Sequence, residues 1–125
     1  LKSSAVKLGC STKTFLGHKM PRSIVLSTCG NIREAHEIAG DLVHRRLAAC
    51  VNIAPVISCY RWKGKVMKER EWLLIIKTDS KIFSKLRRRI LALHSYEVPE
   101  IVSLKIDRGS RPYLAWMDRE LLSEV

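Results

Sequence analysis

Acidic residues are missing from the first 22 positions. LKSSAVKLGCSTKTFLGHKMPR carries Lys2, Lys7, Lys13, Lys19 and Arg22 with no Asp or Glu. A core-facing periodicity is missing there too, so residues 1–22 are set apart from the fold, and residues 23–125 are read as the domain. A Ser-rich, basic, acid-free stretch has the composition of an organelle transit segment. An untranslated leader, a vector-derived leader or a truncated precursor has the same look, and Met20 is an alternative start. Taking those five charges from the formal +11 of the chain leaves +6 for residues 23–125.

Other absences exclude more. No apolar run approaches the roughly 18 residues of a membrane-spanning helix, so no membrane span is expected. Asn31 and Asn52 stand in no N-x-S/T sequon, so nothing points to glycosylation. The four cysteines, Cys10, Cys29, Cys50 and Cys59, form no CxxC pair and no zinc-finger spacing. Reduced thiols in an intracellular protein are the simpler reading, and the expected compartment is the cytoplasm, with residues 1–22 as the argument for an organelle instead.

What is present is one domain's worth of chain with 46% hydrophobic and 28% charged residues, ordinary for a globular protein. SIVLSTC (23–29) is a short apolar run with β-branched residues and reads as a buried strand. Asn31 caps a following helix, with Glu34 three residues on in capping-box position. Ile32, Ala35, Ile38, Ala39, Leu42, Val43 and Leu47 recur at helical spacing, which predicts a helix over about 32–46. In AACVNIAPVISCYRWK (48–63) the alternation changes phase at Pro55. Proline lacks the ladder donor, so it marks a bulge or an edge strand. KGK (63–65) is a turn, and VMKEREWLLIIKTD (66–79) returns as a second long strand. Ser80 is the expected cap of a second helix, with Ile82, Phe83, Leu86, Ile90 and Leu93 as its buried stripe. On that helix Arg87, Arg88 and Arg89 read as a solvated face. EIVSLKID (100–107) is a last strand, Gly109 and Pro112 break the chain, and YLAWMDRELL (113–122) is a short terminal helix.

The order is β-α-β-β-α-β plus a C-terminal helix, an α+β ferredoxin-like sandwich with two helices on one face of an antiparallel sheet. Its two middle strands exceed the usual 5–6 residues by far; about 14–16 residues each would reach roughly 50 Å. A domain of this size cannot cover such strands, so their hairpin must project. Exposed edges are seldom left bare, and the economical solution is pairing with further copies of the chain. The outer strands SIVLSTC and EIVSLKID hold no aromatic residue. That argues against the base-stacking form of this fold, and no nucleic-acid partner is expected despite the charge.

RRLAACVNI (45–53), SCYRWKGK (58–65), EWLLIIKT (71–78) and HSYEVPEI (94–101), in that order and register, resemble the successive signatures of the divalent-cation tolerance family, CutA. The resemblance covers about residues 23–120. It implies a ferredoxin-like homotrimer joined through its long hairpins, an association with copper or another divalent cation as weak cofactor, and no enzymatic activity. For animal members it also implies a protein partner, through a link to acetylcholinesterase anchoring. In copper-binding bacterial members a first-strand cysteine and a histidine before the corner are the ligands. Their counterparts here are Ser27 and His94. Leu93 stands where a second histidine can occur, and Ser95 where proline is usual. Cys29, two residues beyond Ser27 on the same side of the strand, is the substitute thiol. His94 and Cys29 are therefore the candidate metal ligands, and no catalytic or cofactor-binding residue is assigned.

The residues themselves leave other readings open. His94 at a helix end suits a charged imidazole against the negative dipole end, with no metal. Tyr96, Tyr60 and Trp62 suit a subunit contact, and Glu71, on a strand expected to be buried, calls for a partner across a subunit boundary. Cys50 and Cys59 read as small packing residues. The backbone amides after Gly30 and Asn31 offer an anion a seat. A trimeric small-ligand-binding or signalling module with clefts between subunits is therefore the alternative function.

Overall fold

The computed structural model describes residues 21–122. The strands and helices run β1 (Arg22–Cys29), α1 (Ile32–His44), β2 (Cys50–Trp62), β3 (Lys65–Asp79), α2 (Phe83–Leu93), β4 (Val102–Lys105) and α3 (Arg111–Glu120). The α+β order is the one expected. One antiparallel sheet is ordered β2-β3-β1-β4.

Each boundary that differs from the sequence reading has a local cause. α1 stops at His44 because Arg46 turns left-handed, with φ 61°. Its amide bonds the Val43 carbonyl and that of Leu47 bonds Leu42, a Schellman closure with arginine where glycine is usual. Ser80 does not cap α2: it opens a 3-10 turn (Ser80–Ile82) capped by Asp79, whose carboxylate takes the Lys81 amide at 2.7 Å, and α2 follows from Ile82 with no side-chain cap. β4 has four residues rather than eight, because its ladder to β1 runs only from Leu26↔Val102 to Ser23↔Lys105. Pro112 does not break α3 but lies in its first turn, where a missing amide is harmless.

Pro55 sits at an edge, not a bulge. The β2–β3 register runs unbroken from Cys50↔Lys77 to Trp62↔Lys65. β2 is the outermost strand, so it can lack a donor on its free side. The change of phase in the sequence is a change of buried face along a continuous strand. A two-residue turn of Lys63 and Gly64, with φ 51° and 83°, closes the hairpin. Positive φ at both positions fits the twist of the two strands.

α1 and α2 bury their stripes on one face of the sheet. Ile38, Leu42, Leu86 and Ile90 pack with Val25, Cys29, Leu74 and Ile76. Each fully buried aliphatic side chain contributes about 1.5–3 kcal/mol, so this cluster carries the fold. α3 closes a second, smaller cluster of Ala49, Ile82, Met117 and Leu121.

The segment set aside at the N-terminus reaches into the domain at its last two residues. Arg22 opens β1, and its guanidinium forks onto Asp118 of α3 at 3.0 and 2.7 Å. The Pro21 carbonyl accepts the Ser80 amide at 2.9 Å. The reading of residues 1–20 as a leader outside the fold lies outside the described residues.

Candidate functional site

The corner after α2 comes against the end of β1 and the first turn of α1. Asn31 accepts the Glu34 amide at 2.8 Å and so starts α1. The Glu34 carboxylate is turned to the corner: it accepts the Ser95 amide at 2.6 Å and the Ser95 hydroxyl at 3.0 Å. Ser95 thus tightens the turn; proline at this position could have given neither bond.

His94 caps α2 through its amide, bonded to the Ile90 carbonyl at 2.9 Å. Its side chain is completely buried. Nε2 lies 2.7 Å from the Thr28 carbonyl, and Nδ1 accepts the Tyr96 amide at 3.0 Å. A neutral ring protonated on Nε2 satisfies both bonds. At the end of α2 the ring is thus turned inward, toward β1.

Tyr96 stacks at a tilt on His94, ring centres 4.7 Å apart, and gives its hydroxyl to Glu71 at 2.6 Å. Burial, and then the Glu71 carboxylate, push the phenol well above the ordinary tyrosine range. The path runs past Gly30, where an added Cβ would stand 3.1 Å from the Tyr96 oxygen. Glu71 is buried, and this intrachain phenol meets the need for a partner that the sequence reading assigned to another subunit. Farther out on the hairpin Tyr60 gives its hydroxyl to Glu69 at 2.5 Å, and that bond raises its phenol to about 12.

Cys29 lies at the end of β1, opposite Trp72, with no exposure. Burial, then the nearby Glu34 and Glu71 charges, push its thiol up to about 12. Ser27 is also fully buried, and its hydroxyl finds no partner among the described residues. Cys50 is half-buried, as a packing residue would be, whereas Cys59 is exposed on the hairpin and packs no core. Cys10 lies outside the described residues.

The structure therefore brings His94 and Cys29 to one end of β1, but neither is presented as a ligand. A cation needs a free imidazole nitrogen and a thiolate. Both nitrogens are bonded within the chain, and the thiol holds its proton beside two carboxylates. Among the described residues no three His, Cys, Asp or Glu side chains group to hold a metal ion. The residues as folded do not fit a resident cation.

The sequence reading missed the Glu34–Ser95 and Tyr96–Glu71 bonds and the Asp41–Arg89 pair. Asp41 accepts Nε and Nη2 of Arg89 at 2.7 and 2.9 Å, joining α1 to α2. The available signal was an acid and a base, each flanking the apolar stripe of its helix.

The family model described as CutA1 divalent ion tolerance protein matches residues 23–120. The Divalent-cation tolerance protein CutA of Thermus thermophilus is 50% identical over 95 residues, covering 75% of this chain and 92% of that protein. Protein CutA, chloroplastic, of Arabidopsis thaliana is 40% identical over 116 residues, covering 92% of this chain and 61% of its own length. Among solved structures, CutA1 from Oryza sativa aligns with a TM-score of 0.81 at 38% identity, covering 83% of this chain and 96% of that one.

Proposed function

The chain belongs to the CutA1 divalent ion tolerance family, and from that premise we propose that it works as a homotrimer of the cation-tolerance type, not as an enzyme. The observation that carries this is the bare arm of the hairpin. β3 pairs with β1 only over Trp72–Asp79, so Lys65–Glu71 and Val56–Trp62 have only each other as ladder partners. Ile57 and Val66 on that arm are 73% and 64% exposed, and Tyr60 and Trp62 are also exposed. Apolar residues on an uncovered two-stranded ribbon are the surface a further copy of the chain would bury. Light scattering should return three times the chain mass of 14.3 kDa. A stable monomer at micromolar concentration would sink the proposal.

Contact with copper or another divalent cation is, in this reading, weak and dependent on opening the corner. His94 must release Thr28 or Tyr96 before a ring nitrogen is free, and Cys29 must lose a strongly held proton. The protonated thiol and the fully bonded imidazole also support a non-enzymatic role, since neither is poised as nucleophile or base. Calorimetry with Cu(I) and Cu(II) should give weak binding that falls further in Cys29→Ser. Tight binding by the parent chain would contradict it. The acid-free composition of residues 1–22 supports organelle import, of the kind the word chloroplastic records for the Arabidopsis relative. Without import the domain stays in the cytoplasm.

A further inference from the structure

A cleft of about 430 Å³ opens on the helical side of the domain, between the end of α1 and the outer face of α2. Arg45, Lys85, Arg88 and Arg89 wall it, and Leu47, Ala92 and Leu122 give it an apolar lining. Positions 85, 88, 89 and 92 fall on successive turns of one helix face, so the charges converge by helical geometry. Two of the guanidiniums share a carboxylate: Asp41 takes Arg89 at 2.7 and 2.9 Å and Arg45 at 3.1 Å. Asp41 thus ties together two of the three guanidiniums that wall the cleft.

We propose that this cleft binds a small phosphorylated molecule, a phosphate or diphosphate ester on a compact apolar body. Guanidinium forks match phosphate oxygens two at a time, and do so better than ammonium groups. A guanidinium has five N–H donors, and Arg89 gives two of them to Asp41, so three remain. Asp41 holds Arg89 and Arg45 in place beforehand, which lowers the ordering cost of binding. Leu47, Ala92 and Leu122 cover the apolar body. The volume lies at the lower end of the range for small-ligand sites, about 300–1,000 Å³. Nucleic acid fits less well, because among the described residues no aromatic side chain lines the cleft for a base to stack on. The proposal is independent of the trimer and of any cation.

Calorimetry on the full chain in about 50 mM salt, with phenyl phosphate and inorganic pyrophosphate as probes, tests it. Phenyl phosphate should bind with a dissociation constant below about 1 mM, and Arg88→Glu should weaken it by about tenfold or more. Arg33→Glu, the same charge change at an exposed position on α1, should stay within about twofold. Ala92→Leu should weaken phenyl phosphate more than pyrophosphate, because it fills the apolar lining and spares the cations. No binding of either probe overturns the proposal, and so does an equal loss in Arg33→Glu, which would mark unspecific attraction to a basic chain. Phosphatidic-acid vesicles or a single-stranded RNA bound through Arg88 more tightly than phenyl phosphate would overturn it too, by making this face a membrane or nucleic-acid surface.

Discussion

Because His94 gives one ring nitrogen to the Thr28 carbonyl and takes the Tyr96 amide with the other, its removal leaves two backbone groups unpaired beside a cavity. His94→Ala should therefore lose about 3 kcal/mol of stability in urea unfolding. A loss under about 1 kcal/mol would mean that the corner stands without the ring. Asp41 makes a different kind of prediction. Its hydrogen bond to Arg89, helped by Arg45, lowers its carboxyl from 3.8 to about 2. A lowered carboxyl contributes stability that is complete above the unfolded value and lost as pH falls through the folded one. The parent should lose on the order of 1 kcal/mol between about pH 4 and pH 2 that Asp41→Asn does not, since the pair is only partly screened. Parallel acid-unfolding curves for the two chains would refute that role. Neither residue's part was legible in the sequence. A histidine at a helix end gives no sign of whether its ring turns inward. Asp41 and Arg89 are 48 positions apart, and only the packing of α1 on α2 brings them together.

At the scale of elements, features set by periodicity were legible, and features set by a single dihedral or a partner strand were not. The stripes of α1 and α2 and the KGK turn were read from spacing and glycine, because burial imposes that spacing directly. The end of α1 depends on Arg46 adopting φ 61°, which nothing in RRLAACVNI announces. The length of β4 depends on how far β1 extends beside it. The first strand starts one residue earlier than its apolar run, at Arg22, for a similar reason. Arg22 continues a basic run in sequence, yet in space it ties β1 to α3 through Asp118. The Arg22 carbonyl also accepts the Ile106 amide at 2.9 Å. A chain beginning at Ser23 loses both contacts and the Pro21–Ser80 bond, whereas one beginning at Pro21 keeps all three. Thermal melts should show the Ser23 chain less stable by about 1–3 kcal/mol than the Pro21 chain. Equal melting temperatures would show that the strand end carries no stability.

For the whole molecule, the decisive fact is the separation between where the core lies and where the hairpin ends. The main cluster draws on β1, α1, α2 and the near halves of β2 and β3, and none of its residues lies between 54 and 71. The arm beyond β1, from Val56 to Glu71, adds ribbon length of about 23 Å to the sheet without adding to that core. In the proposed trimer this arm is the part that acts between molecules. Its length was legible because strand length is readable from alternation, while the face that a partner covers is not. Deleting residues 58–69 and closing the shortened ribbon with Asn-Gly between the paired Ile57 and Arg70 removes Tyr60, Trp62 and Val66 but leaves every core contact in place. The shortened chain should fold, with circular dichroism and a cooperative melt close to the parent's, and should sediment at one chain mass. If it still forms trimers, assembly rests on the exposed β4 edge, where Val102 and Leu104 are 47% and 53% exposed, and the hairpin is not its cause. If instead it fails to fold at all, the arm stabilises the monomer, which would contradict the separation of core from hairpin.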